Sequence, residues 1–176
     1  MVDLSTKYLG LSLKNPLIAS ASPLSQKAET VRQLEQAGIA AVVMYSLFEE
    51  QIIYDSLRLD HDLTRGIESF AEAMTYLPDL TAYSTYHQYS ISPDVYAENL
   101  YQLKKTVDIP IIGSLNGVTP GGWIEYARKI EQAGADALEL NIYSLPTDPN
   151  ITSNELEEQY IELVRSICSV VTIPIA

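Results

Sequence analysis

The sequence predicts an α/β fold, the first half of a (β/α)8 barrel (TIM barrel), from two internal repeats and the alternation of elements between them. The segments "LEQAGIAAVVM" (34–44) and "IEQAGADALEL" (130–140) each read as a helix end, a glycine suited to the position after a helix, and a strand of small and branched residues. A second pair, "VDIPIIGSLN" (107–116) and "VTIPIA" (171–176), opens a strand with proline. Strands and helices that alternate with short links indicate parallel βαβ units.

Four such strands follow one another along the chain, and we expect them near 16–22, 40–46, 109–116 and 137–143. The intervening helices are expected over 27–37, from Ser92-Pro93 to about 107, from Thr119-Pro120 to Gly134, and over 154–170. A short hairpin around Gly10 precedes them. The last residues begin a fifth strand, so we expect one domain over 1–176 that is half a barrel and inactive alone. Its open edges predict self-association or marginal stability.

A long insertion, 48–91, follows the second strand and is rich in tyrosine and acidic residues. We expect a helix within it near 65–76. Loops of this length on the carboxyl side of a strand usually carry function.

Composition excludes several classes of protein. The net charge of −12, with 23 acidic against 11 basic residues and no basic run, argues against nucleic-acid binding. No apolar stretch approaches the roughly 20 residues of a membrane span, so we expect a cytoplasmic protein. The single Cys168 shares a helical stripe with Ile161, Val164 and Val171, which predicts core packing and excludes a disulfide framework. His61 and His87 lack metal-ligand spacing, and no metal site is expected.

Side-chain alternation gives a first indication of a site. In the fourth strand Glu139 and Asn141 share one face, while Leu138 and Leu140 share the other. The aliphatic face suits the outer helices, which turns the polar pair toward the barrel interior, with Asn141 nearer the carboxyl end of the strand.

The same test places Ser114 with Asn116 on the third strand, and Ser20 with Ser22 on the first. These polar groups could satisfy one another or cap the following helices, and for the serines that alternative is equally good. For Asn116 and Asn141 we favour ligand binding, because an amide inside an apolar strand is costly unless something uses it.

Four segments, "NPLIASAS", "VVMYSLFEEQI", "SLNGVTPGGW" and "ALELNIYSLPTDP", resemble the dihydroorotate dehydrogenase family, in particular its divergent dihydroorotate dehydrogenase-like branch. The resemblance implies an FMN-dependent barrel that oxidises dihydroorotate to orotate in pyrimidine biosynthesis. It therefore implies a dehydrogenase acting on a CH–CH group, with a small-molecule substrate and a homo-oligomeric state.

The resemblance also implies roles for individual residues. The family's asparagine that contacts the pyrimidine falls on Asn141, and its active-site base falls on Ser144. Its second-strand lysine, which touches flavin and substrate, falls on Tyr45, which cannot supply a cation. The residues assigned to the cofactor are Ser20, Ala21, Ser22, Ser46 and Asn116.

Two alternatives stay open. "GVTPGG" (117–122) could be a phosphate-binding loop, although Thr119-Pro120 fits a helix start better. The chain could also be a non-catalytic relative, or an isolated half-barrel that acts as a binding or interaction module. The substitution of Tyr45 for the lysine favours this second function.

Overall fold

The computed structural model describes residues 2–64, 92–143 and 146–176. Within them the chain forms an α/β fold with a parallel sheet. The helices are α1 (Ala28–Gln36), α2 (Glu49–Thr64), α3 (Pro93–Thr106), α4 (Pro120–Gln132) and α5 (Ser153–Cys168), with a short 3-10 helix at Pro23–Gln26. The strands are β1 (Thr6–Tyr8), β2 (Leu11–Leu13), β3 (Ile18–Ala19), β4 (Ala41–Val43), β5 (Leu47–Phe48), β6 (Ile111–Asn116) and β7 (Ala137–Leu140).

The four main strands are neighbours in chain order. β3 pairs with β4, β4 with β6, and β6 with β7, and all three pairings are parallel. Leu138 also forms a parallel bridge with Ile175, so a fifth segment joins the sheet next to β7. The predicted hairpin is confirmed, because β1 and β2 pair antiparallel around a turn that contains Gly10. The parallel pairing and strand order predicted from the repeats are therefore confirmed.

Local sequence signals explain where the helices begin and end. Ser92 and Thr119 accept hydrogen bonds from backbone amides three residues on and are followed by proline at the first helical turn. Gly38 and Gly134 have φ of +105° and +97°, which a residue without a Cβ adopts cheaply. A capping box, formed by Thr152 and Glu155, starts α5 and was not predicted.

The two faces of the sheet differ in what covers them. On the helix face Ile111, Leu115 and Leu138 lie in one core with the buried stripes of the helices. The other face, here named the open face, carries Val43, Ile112 and Ala137. Residues of the N-terminal hairpin pack against this second group, so the hairpin covers the open face near the amino ends of the strands.

The core position predicted for Cys168 is wrong, because this residue is exposed, and Ile161 is 48% exposed as well. Two stripes along α5 fit helical spacing, and the helix buries the one that contains Leu163 and Ile167. Periodicity alone does not choose between adjacent stripes on a helix that carries apolar residues on both.

Most of the predicted insertion, including the helix expected near 65–76, lies outside the described residues. Its described part is the end of β5 followed by α2. In the part of the chain that the structure describes, no helix has the length and apolar character needed to cross a membrane.

Candidate functional site

The second predicted strand is interrupted where the site begins. Instead of running over 40–46, it ends at Val43 and pairing with β6 resumes only at Leu47. Opposite the gap lies Ser114 of β6, between the residues that pair with β4 and with β5. The hydroxyl of Tyr96, from α3, fills the place: it accepts from Ser114 N at 3.0 Å and donates to Ser114 O at 3.3 Å. A tyrosine side chain thus substitutes for a missing strand neighbour.

Two further contacts stabilise the interruption. Tyr45 N donates to Ser25 Oγ at 2.7 Å, and Ser25 Oγ donates to Ser22 O at 2.8 Å. Burial raises the pKa of Tyr96 far above its ordinary value, so its phenol keeps the proton that it donates. The backbone groups left by the gap are therefore satisfied by side chains, as buried polar groups require.

The interruption redirects Tyr45. Strand alternation would place Tyr45 with Val43 on the open face, but its ring packs in the helix-face core, edge-on to Tyr96 with centroids 5.1 Å apart. Asn99 of α3 donates to the Tyr45 hydroxyl at 3.0 Å. The structure therefore places this predicted substrate residue apart from the polar groups described next.

Four polar side chains meet on the open face at the carboxyl ends of adjacent strands: Ser46, Ser114, Glu139 and Asn141, here named the mouth cluster. Ser46 Oγ and Ser114 Oγ are 2.8 Å apart, and Ser114 Oγ donates to Glu139 Oε1 at 3.2 Å. Asn141 Nδ2 donates to Ser114 Oγ at 2.8 Å and to Ser46 Oγ at 3.3 Å. Ser114 is fully buried, while the other three are half-buried and reach the mouth.

The predicted cofactor residues surround this cluster unequally. Ser46 belongs to it, and half-buried Asn116 lies two residues beyond Ser114 on β6. After β3, Ser20 is exposed and Ala21 packs against the open-face apolar residues. Ser22 serves the backbone, because its carbonyl accepts from Ser25. The predicted base, Ser144, lies outside the described residues.

A second carboxylate, that of Glu49 at the start of α2, lies at the same end of the sheet. It is 4% exposed. Its Oε2 accepts from Val118 N and from Thr119 N, the latter at 2.9 Å, and its Oε1 accepts from Thr119 Oγ1. The donors at the start of α4 that a phosphate would use are thus taken by a side chain of the protein itself, which favours the helix-start interpretation of "GVTPGG".

Sequence reasoning missed four of these contributors. Glu139 was visible, because alternation places it on the face of Asn141, yet it was not assigned to the site. Tyr96 lies in a predicted helix, and nothing in the sequence indicates that its hydroxyl bonds to β6. Ser25 and Glu49 carried no signal, since their partners are distant in sequence.

Two of the curated relatives carry the name of the family that the motifs resemble, and a third is a dihydropyrimidine dehydrogenase subunit. The chain is 27% identical over 81% of its length to the catalytic subunit of dihydroorotate dehydrogenase B (NAD(+)) of Thermoplasma acidophilum, covering 42% of that protein. It is 26% identical over 99% of its length to the subunit of the same name from Thermoplasma volcanium, covering 53%. Against the NAD-dependent dihydropyrimidine dehydrogenase subunit PreA of Escherichia coli K12, identity is 28% over 96% of the chain and 39% of the relative.

The chain thus spans about half the length of the first two relatives. No model of a protein family matches it. Among solved structures, a dihydrodipicolinate synthase from Agrobacterium tumefaciens superimposes with a TM-score of 0.52 at 13% identity, over 90% of this chain and 42% of that one. The KD(P)GA from T.tenax gives 0.51 at 15% identity, over 90% and 43%. At such identities these likenesses show the fold alone. By these comparisons, the chain is similar at low identity to the catalytic subunits of dihydroorotate dehydrogenase B and to a related dihydropyrimidine dehydrogenase subunit.

Proposed function

We propose that this chain forms the first half of a (β/α)8 barrel of an FMN-dependent dehydrogenase that acts on the CH–CH bond of a dihydropyrimidine such as dihydroorotate. The observation that supports it best is the mouth cluster, which gathers two hydroxyls, a carboxylate and an amide at the carboxyl ends of adjacent parallel strands. Ligands of α/β proteins bind at this end of the sheet. The names of the curated relatives supply the reaction class.

The residues present fit the ring of a flavin better than its phosphate. Small Ala21 lies against the open-face apolar residues, and the half-buried amide of Asn116 lies near the mouth. Such a combination suits a planar ring with a polar edge. The donors at the start of α4, in contrast, are occupied by Glu49. Ser20, Ala21, Ser22, Ser46 and Asn116 would therefore hold the ring, and the described part of the chain offers no cradle for the phosphate at α4.

The reaction removes a hydride from one ring carbon and a proton from its neighbour, leaving a double bond. FMN, when bound, would supply the two-electron acceptor for the hydride. Asn141 would hold the polar edge of the substrate, and Ser144 would take the proton from the neighbouring carbon. A homo-oligomeric state and a cytoplasmic location stay predictions from the sequence.

The second candidate function is a binding or interaction module without catalysis. The placement of Tyr45 favours it, because the position where the family carries a lysine holds a neutral side chain packed against α3. Titration of the purified chain with FMN, followed by flavin fluorescence, separates the two functions. Saturable quenching supports the dehydrogenase, whereas absence of binding supports the module.

Two variants, made in the complete FMN-loaded barrel of which this chain would form the first half, test the assigned roles. Asn141→Ala should weaken binding of dihydroorotate by roughly ten- to a hundredfold, because polar groups of the ligand lose their partner. Ser144→Ala should lower the rate of flavin reduction by about 10²–10⁴ and leave binding nearly unchanged. Stopped-flow flavin bleaching measures both quantities.

Exposed Asn154 and Ser166 on α5 offer matched controls, since Asn154→Ala and Ser166→Ala should alter neither binding nor rate. Equal and small effects of Asn141→Ala and Ser144→Ala would contradict the catalytic assignment and leave the fold untouched.

A further inference from the structure

The hydrogen-bonding capacity of the mouth cluster determines which way each of its groups donates. An ionised carboxylate only accepts, so Glu139 takes the one hydroxyl proton of Ser114. Ser114 Oγ then has only acceptor capacity for its other neighbours. Ser46 must therefore donate to Ser114 across their 2.8 Å contact. The carboxylate of Glu139 therefore determines the direction in which both serine hydroxyls donate.

The same reasoning fixes the amide of Asn141. Both serine oxygens that face it have already used their protons, so they accept Asn141 Nδ2 at 2.8 and 3.3 Å. Nδ2 also lies 3.5 Å from Glu139 Oε1. Because the amide is planar, its Oδ1 then points away from the other three side chains of the mouth cluster. The half-buried Asn141 offers an acceptor, and not a donor, to whatever occupies the mouth.

We infer that Glu139 is a positioning residue that, through Ser114, orients the Asn141 amide so that this end of the sheet selects a ligand offering a ring N–H. The inference rests on the proposed function for the kind of ligand, a cyclic amide or imide, but the orientation of Asn141 is a property of the chain itself. A ligand edge that carries only carbonyl oxygens would face another acceptor and would be rejected.

Glu139→Gln keeps the shape of the side chain but no longer determines which groups of the network donate, because a glutamine amide both donates and accepts. Ser114→Ala interrupts the relay and leaves Glu139 in place. Glu157→Gln, on the exposed surface of α5, is the matched control for the loss of one negative charge. Thermal unfolding of all four proteins establishes that the variants are folded.

The first readout needs no ligand. In NMR spectra of the parent protein and Glu157→Gln, the Asn141 Nδ2 protons should show nuclear Overhauser contacts to the β-protons of Ser46 and Ser114. Glu139→Gln should weaken them, because the amide can then turn over. Unchanged contacts in Glu139→Gln would overturn the inference, whether or not the proposed function holds.

The second readout uses two probes on the FMN-loaded protein, 5,6-dihydrouracil and its 1,3-dimethyl derivative, which lacks both N–H groups. The ratio of their dissociation constants should fall about tenfold in Glu139→Gln and in Ser114→Ala relative to the parent protein. The steric cost of the methyl groups is common to all variants and cancels in this comparison. An unchanged ratio would overturn the inference. If neither probe binds the parent protein, the result counts against the proposed function, and the NMR contacts alone then test the inference.

Discussion

Two carboxylates lie at the carboxyl end of the sheet, and they are used in opposite ways. Glu49 is buried, and its oxygens are committed to Val118 N, Thr119 N and Thr119 Oγ1. Glu139 is half-buried and accepts one hydroxyl, at 3.2 Å, and a distant amide. The first holds a loop in place, whereas the second keeps capacity at a surface that a ligand can reach. Position at the functional end of a sheet therefore does not by itself identify a functional carboxylate. The carboxylate must also have acceptor capacity that the protein has not used.

Removal of the Glu49 side chain should have the largest effect on stability. Glu49→Ala leaves the backbone donors of Val118 and Thr119 without their acceptor in a buried setting, and we expect a loss of about 3 kcal/mol in the free energy of unfolding. Urea denaturation followed by circular dichroism measures it. Glu139→Ala is the comparison and should cost less than about 1 kcal/mol. Equal losses in the two variants would remove the distinction between the carboxylates.

Loss of the Tyr96 hydroxyl should have the next largest effect. Tyr96→Phe retains the ring but removes the hydroxyl that accepts from Ser114 N and donates to Ser114 O beside the strand gap, at a cost of about 2 kcal/mol. Tyr101 on the same helix is 46% exposed, and Tyr101→Phe should change stability by less than about 0.5 kcal/mol. The same urea experiment applies. A Tyr96→Phe protein as stable as its parent would show that the gap is satisfied in another way.

The smallest effect concerns a third carboxylate, that of Glu131, which accepts from Thr172 Oγ1, Thr172 N and Ile173 N. These bonds lower its pKa from an ordinary value of 4.5. A carboxyl group with a lowered folded-state pKa contributes stability that is present above 4.5 and is lost as the pH falls through the lowered value.

Glu131→Gln should therefore be less stable than the parent protein at pH 7, and the difference should shrink as the pH falls below 4.5. Unfolding curves of the two proteins across this range measure it. A difference that stayed constant with pH would assign the effect to packing and not to the charge.

Much of the fold could be predicted because its signals are local. Proline starts, helix-ending glycines and two repeated segments were sufficient for the parallel strand order and the hairpin. Alternation along 137–143 was sufficient to place Glu139 and Asn141 on one face, because a strand with one aliphatic face has only one register that buries it. In the structure Asn141 lies against Ser114, which the same alternation places on this face of the third strand.

The features that escaped prediction depend on tertiary contacts. The strand gap at 44–46 exists because Tyr96 and Ser25 supply the missing hydrogen bonds, and these residues lie 18 and 20 positions from the residues that they bond. The redirected Tyr45 follows from the gap. The exposed Cys168 follows from a choice between two stripes of α5 that periodicity does not distinguish. Each of these features depends on contacts with residues outside the local segment, which the local sequence does not indicate.

The hydroxyl of Tyr96 also sets how much variation α3 can tolerate. Position 96 must supply both a large ring for the core and a hydroxyl that reaches the backbone of β6. Phenylalanine retains the ring without the donor, while serine and threonine retain the hydroxyl without the reach. Tyr101, 5 residues along the same helix, has neither obligation. Two tyrosines of one helix that look equivalent in sequence therefore differ in replaceability, and saturation mutagenesis of α3 would find a permissive position beside one that accepts almost no other side chain.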